Sequence, residues 1–221
     1  MNMEIYLITT FPEYFSSVLQ TSIIKRAQEK GVVSVTMIDP RDFAADSHKT
    51  TDDRPFGGGA GMVMKVEPID RALQSIKALE AGKLAQTVLT SAKGSLFNQE
   101  KAESWSKLQR LVLVCGHYQG VDERVAQNLV DEEVRIGNYV LTGGEPAVAV
   151  MIDAVIRLLP DVLGNAQSLG GESHDKTGLS GAPLYTRPEE YRGWKVPSVL
   201  LGGNHKAIEE WKKAQRQPLT D

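Results

Sequence analysis

Short runs rich in β-branched and aliphatic side chains alternate along this chain with segments whose apolar positions recur at helical spacing. "EIYLIT" precedes a helical pattern over residues 12–30, and "VVSVTMID" follows it. "AQTVLTS" precedes a helical pattern over residues 98–109, "RLVLVCG" one over 122–130, and "EEVRIG" a further helix. Strands separated by helices are joined by crossovers, which leave neighbouring strands parallel, so the pattern predicts an α/β fold with a mostly parallel sheet. The first helix is bounded by Pro12, whose fixed φ suits a first turn, and by Gly31 just past its end. "EPAVAVMIDAVIRLLP" is apolar on most faces, which predicts a helix packed in a core or an interface. The closing "GNHKAIEEWKKAQRQ" predicts a capped helix with a basic last turn.

Two segments interrupt the alternation. Residues 46–67 form a glycine-rich loop, and residues 160–187 a long Gly/Ser-rich connection of a kind that is usually functional or a linker. The predicted organisation is a domain over 1–160, a linker over 161–187 and a short C-terminal helical domain over 188–221. No internal repeat or low-complexity tract is present.

At 221 residues the chain is long enough to bury a substantial core. Its single cysteine, Cys115, excludes a disulfide within the chain and reads as a buried strand residue in a reducing compartment. The N-terminus lacks the basic start and cleavage site of a signal peptide, and no apolar stretch approaches a spanning helix, so a soluble cytoplasmic protein is expected. With a net charge of -3 the whole-chain field does not attract nucleic acid, and any such binding must rest on local patches.

Several motifs fail on inspection. "GGGAGM" has Met62 where a dinucleotide fingerprint needs its third glycine, and no strand is predicted before it. "SAKGS" lacks the leading glycine of a phosphate loop, and "GESHD" lacks the closing glycine of a nucleophile elbow. The four histidines show no metal-like spacing with Cys115, so no zinc site is expected. What remains is a set of glycine-containing turns after three successive strands: "LTSAKG" at 89–94, "CGHYQG" at 115–120 and "IGNYVLTGGE" at 136–145. Ligands of open α/β sheets bind beyond the carboxyl ends of the strands, and glycine lets the backbone approach them closely. Together the three turns point to a ligand site.

These turns, with "TTFPEYF", "HKTTDDRPFGGGAGM", "LPDVLG", "LYTRPEEY" and "VPSVLLGGNHKAIEEW", closely resemble the bacterial tRNA (guanine-N1)-methyltransferases of the TrmD type, within the SPOUT superfamily. The resemblance runs from residue 4 to about residue 215. It implies a mostly parallel sheet whose C-terminal part threads a trefoil knot, an obligate homodimer, and S-adenosylmethionine held by main-chain groups. The pocket implied comprises Leu89, Thr90, Ser91, Ala92, Gly116, Ile136, Gly137, Asn138, Tyr139, Val140, Leu141, Gly143 and Gly144.

The family's reaction places a methyl group on N1 of the guanine beside the anticodon of tRNA. It needs a base for the N1 proton and a cation for charge developing on O6. Arg157 matches the family's arginine. For its aspartate, counting forward from "LPDVLG" gives Glu172 and counting back from "GLSGAPLYTRP" gives Ser173. Glu172 is preferred because it keeps a carboxylate, with Asp175 as a further candidate.

Other departures gather on the substrate side. His117 and Gln119 stand where the family has arginine and glutamate, Gly181 where it has aspartate, and Arg135 where it has a small residue. Glutamine does not attract a cation as glutamate does, which weakens the family's Mg2+ dependence as an expectation here. The family usually continues past the last helix with further helices that grip tRNA, whereas this sequence stops at Asp221, soon after Trp211. Lys49, Arg54, Arg187 and Lys195 are candidates for phosphate contacts, or simply solvated charges. The leading expectation is the guanine-N1 methyltransferase, with Glu172 as base and Arg157 at O6. The alternatives are the same fold acting on another guanine-containing acceptor, an RNA or a small molecule, and a non-catalytic AdoMet-binding dimer.

Overall fold

The apolar runs become one five-stranded sheet in the computed structural model, which describes residues 2–77, 84–164, 172–174 and 178–219. The chain divides into two compact units, residues 1–164 and 165–221.

In the first unit the sheet order is β2-β1-β6-β5-β7, from β1 (Met3–Ile8), β2 (Val33–Ile38), β5 (Ala85–Leu96), β6 (Arg110–Val114) and β7 (Glu132–Arg135). Every ladder in it is parallel, as the alternation of strands and helices requires. β6 lies at the centre and is buried along its whole length, which is why "RLVLV" reads as a continuous apolar run rather than an alternating one. Its register against β1 is fixed at one end by a charge pair: Arg110 donates to Glu4 Oε2 from Nε at 3.0 Å and from Nη2 at 2.8 Å.

The sheet is covered on both faces. One core gathers Phe15, Leu19, Ile24, Trp105, Leu113 and Met151, and the other Ile8, Met64, Ile69, Leu73, Val112 and Val125. The helices that supply them are α1 (Ser16–Leu19), α2 (Ser22–Glu29), α3 (Val66–Lys77), α4 (Gln99–Trp105), α5 (Glu123–Asn128) and α6 (Glu145–Ile156). Asn98 caps α4 by accepting from the Lys101 N–H at 2.9 Å, and Asp122 caps α5 by accepting from the Arg124 N–H at 2.9 Å. The apolar helix α6 buries Ala147, Val148, Met151, Ile152, Val155 and Ile156, while Val150 faces out.

Three expectations need correction. The helix expected over residues 12–30 is a 3-10 turn (Pro12–Phe15) followed by α1 and then α2. The break falls at Thr21, whose backbone is extended and whose hydroxyl donates to the Ser17 carbonyl at 2.6 Å, a side-chain bond that competes with the helical ladder. The glycine-rich segment contains a small ribbon, β3 (Asp52–Asp53) paired antiparallel with β4 (Val63–Met64), so a short strand does precede "GGGAGM". "LTSAKG" is not a turn after a strand but part of one: Thr90 and Ser95 of β5 both pair with Val134, and residues 91–94 bulge out between them.

The second unit is described over residues 172–174 and 178–219. It holds the hairpin β8 (Glu190–Tyr191) and β9 (Trp194–Lys195), turned by Arg192 and Gly193, both at positive φ. A further helix, α7 (His205–Gln215), is capped by Asn204, which accepts from the Ala207 N–H at 3.2 Å. Arg216 ties its end to the start of the unit by donating from Nε to the Ser180 carbonyl at 2.8 Å. Among the described residues, no helix is long and apolar enough to cross a membrane.

Candidate active site

The start of the bulge in β5 and the carboxyl end of β6 meet the chain that leaves β7 in a tight set of contacts. Thr90 sits at the junction: its hydroxyl donates to the Val114 carbonyl at 3.1 Å and accepts from the Gly116 N–H at 2.9 Å. The chain leaving β7 folds back over this corner, where the Gly144 N–H donates to the Gly116 carbonyl at 2.6 Å and Gly143 bridges His117. Glycine is dictated here by proximity. A Cβ on Gly116 would stand 2.6 Å from the Thr90 carbonyl oxygen, and one on Gly144 2.8 Å from the Gly116 nitrogen.

These segments enclose a cavity of about 410 Å³, a volume suited to a ligand of cofactor size. Leu89, Thr90, Ser91, Ala92, Gly116, Ile136, Tyr139, Val140, Leu141, Gly143 and Gly144 line it, and so do His117 and Gln119. Of the residues the resemblance assigned to the cofactor, Gly137 and Asn138 are not in the lining. Both shape the loop from behind: a Cβ on Gly137 would overlap the Tyr139 ring, and Asn138 Oδ1 accepts from Arg135 Nε at 3.1 Å. The mixed polar and apolar lining with closely approached main chain fits a flat, partly polar group such as AdoMet's nucleoside.

The cavity also has charged walls. Lys93 and Tyr118, from the segments 89–94 and 115–120, line it, and so do Glu123, Glu133 and Arg135, which the sequence does not single out for binding. Lys93 is delivered by the bulge in β5, within a strand that continues to Leu96. Its ammonium is held above the ordinary lysine range, first by its hydrogen bond to Glu123 and then by Glu133 at 3.5 Å. Arg135 donates from Nη1 to the Gly94 carbonyl, pinning the bulge to β7. Burial, and then the charge of Asp52, raises the Tyr118 phenol. Cys115 lies under this floor, and burial pushes its thiol well up, leaving it a small core residue as the sequence suggested.

A model of the family described as tRNA (Guanine-1)-methyltransferase TrmD matches residues 3–221. The chain belongs to this family. It is 50% identical over 213 residues to a protein of Carboxydothermus hydrogenoformans named tRNA (guanine-N(1)-)-methyltransferase, covering 96% of this chain and 82% of that one. Proteins of the same name from Persephonella marina and Geobacillus kaustophilus are 48% and 49% identical. They cover 96% of this chain in both cases, and 82% and 86% of their own lengths. The family is one of enzymes, and the mixed α/β fold with its parallel sheet is consistent with it.

The residues assigned by the TrmD resemblance to catalysis lie in different units. Arg157 is the residue that closes α6, half-buried, with its N–H donating to the Asp153 carbonyl at 3.3 Å, so it stands at the end of the long helix rather than within it. Glu172 is half-buried in the second unit, its carbonyl accepting from Arg216 Nη2 at 3.4 Å. Ser173 already has a local task, because its hydroxyl accepts from the Gly181 N–H at 2.8 Å. Asp175 lies outside the described residues. Among the described residues no three His, Cys, Asp or Glu side chains gather closely enough to share a metal ion, so these residues do not by themselves form a magnesium cage.

Proposed function

We propose that this protein transfers the methyl group of S-adenosylmethionine to N1 of the guanine beside the anticodon of tRNA. The observation that carries the reading is sequence identity of about half, over 96% of the chain, with relatives named for that reaction. The same identity weighs against another guanine-containing acceptor and against a non-catalytic dimer. AdoMet supplies an electrophilic sulfonium methyl when bound.

The chain's own residues do the rest. Main-chain N–H and C=O groups of 89–92, 116 and 136–144 hold the nucleoside and aim the methyl group, and their fixed places spare the cost of ordering side chains. Guanine N1 carries a proton and is a poor nucleophile until that proton leaves. Glu172 accepts it, and the Arg157 guanidinium meets the charge that then grows on O6. Glu172 is preferred to Ser173 because a hydroxyl is a far weaker base and this one is already engaged with Gly181.

The chain after β7 returns against the ends of β5 and β6, and this supports a trefoil knot there. The exposure of Val140, at 83%, with that of Tyr139, Leu141 and Val150, supports burial of this face against a second copy in a homodimer.

The test is incubation with labelled AdoMet and an unmodified tRNA transcript, followed by digestion and mapping of the labelled nucleoside. The expected product is 1-methylguanosine beside the anticodon. Label at another position, or no label, overturns the reading.

A further inference from the structure

His117 lines the cavity, and its surroundings fix that ring closely. It packs against the Phe11 ring at 4.8 Å between centroids and edge-on to Tyr118 at 5.0 Å. Nδ1 is fully buried, meets no hydrogen-bonding criterion with any partner, and lies 3.5 Å from Glu145 Oε2. Glu145 is itself buried, and its other oxygen accepts from the Thr9 hydroxyl at 2.8 Å. The approach depends on glycine at 143, where a Cβ would stand 2.5 Å from Glu145 Oε2 and overlap the imidazole.

A carboxylate offers only lone pairs. A bare Nδ1 lone pair buried against it would be repelled, so the proton belongs on Nδ1 and the lone pair of the neutral ring on Nε2. With Nδ1 enclosed, the 22% of the side chain that is exposed lies on the rest of the ring. Glu145 is, among the described residues, the one charged group within ion-pair reach of His117. Lys93, Glu123, Glu133 and Arg135 line the cavity elsewhere, and Asp52 and Arg41 act on the neighbouring Tyr118.

We propose that Glu145 is a positioning residue that holds His117 as the Nδ1–H tautomer, so that Nε2 faces the cavity as an acceptor for an N–H edge of the acceptor base. The Nε2 lone pair therefore suits the exocyclic amine of guanine, which leaves N1–H to Glu172. The identity of that base rests on the methyltransferase reading, whereas the tautomer does not.

Two experiments test it. Side-chain nitrogen-15 NMR at a pH of about 8, where a free imidazole is neutral, reads the tautomer directly. Nδ1–H is expected in the wild type. In Glu145→Gln the Thr9 hydroxyl keeps the amide oxygen, the amide NH2 turns to Nδ1, and the ring changes to Nε2–H. kcat/KM for tRNA then falls on the order of tenfold. In the second experiment, His117→Gln carries its amide to the Nε2 place and stays within about threefold of wild type, whereas His117→Asn reaches only the Nδ1 place and loses about tenfold. Nε2–H in the wild type, an unchanged tautomer in Glu145→Gln, or equal rates for the Gln and Asn variants would each overturn the proposal. If the wild type methylates no tRNA, the function reading fails while the NMR result still decides the tautomer.

Discussion

In residues 1–164, Phe15, Trp105, Leu113 and Met151 are withdrawn from water on one face of the sheet and Ile69, Leu73 and Val114 on the other, whereas among the described residues of 165–221 none is fully buried. There Leu184, Tyr191 and Trp194 stand in solvent, Trp194 with 70% of its surface exposed. The cavity belongs to the first unit, because main-chain donors and acceptors serve as a binding surface only where a packed sheet fixes them. The second unit contributes side chains of the kind that contact a partner: aromatic faces, lysines and arginines, and the carboxylate proposed as the base.

The contrast is broken or sharpened most strongly at the two tryptophans. Trp105→Ala empties the packed core and is expected to destabilise the protein by about 3–5 kcal/mol, read from urea unfolding. Trp194→Ala removes an exposed ring and is expected to stay within about 0.5 kcal/mol. Equal losses would mean that the second unit has a core of its own.

The next effect is kinetic and crosses both units. Arg157→Ala and Glu172→Gln are each expected to lower kcat on tRNA by about a hundredfold or more, with AdoMet affinity held within about twofold. Full activity in Glu172→Gln moves the base elsewhere, to Asp175 first.

A smaller effect belongs to the first unit alone. Asp122 caps α5, and its carboxyl is held below the ordinary range, first by the hydrogen bond from the Arg124 side chain. A depressed native pKa contributes stability that is complete above the unfolded value of about 4 and is lost as pH falls through the native one. Asp122→Ala is expected to cost about 1 kcal/mol at neutral pH. The cost shrinks on acidification, and a constant cost from pH 7 to pH 3 would contradict the role given to Arg124.

The parallel sheet was legible because its strands are apolar runs of the right length, separated by helices with clear caps at Asn98 and Asp122. The cavity was legible through its glycines, since Gly116 and Gly144 have no room for any other residue. The break at Thr21 was not, because a hydroxyl bonding back to Ser17 looks no different in sequence from one pointing to water. Neither was the bulge at 91–94, whose extra residues continue an extended strand and are revealed only by two partners on β5 sharing Val134. Lys93 came into the site by that bulge, while Glu133 stands on β7 opposite Leu89. Glu145 was hidden for a different reason: at the first position of α6 it reads as an ordinary acidic helix start, and only the fold brings it beneath His117.

The measurement that bears most directly on the central claim is calorimetric titration of AdoMet into the wild type and Gly144→Val. Residue 144 lies against the Thr90 hydroxyl and the backbone of Cys115 and Gly116, and a side chain there has nowhere to go. Saturable binding by the wild type is expected, with a loss of at least about a hundredfold in Gly144→Val and Trp194→Ala indistinguishable from wild type. Wild-type affinity in Gly144→Val would place AdoMet outside this cavity and contradict the account.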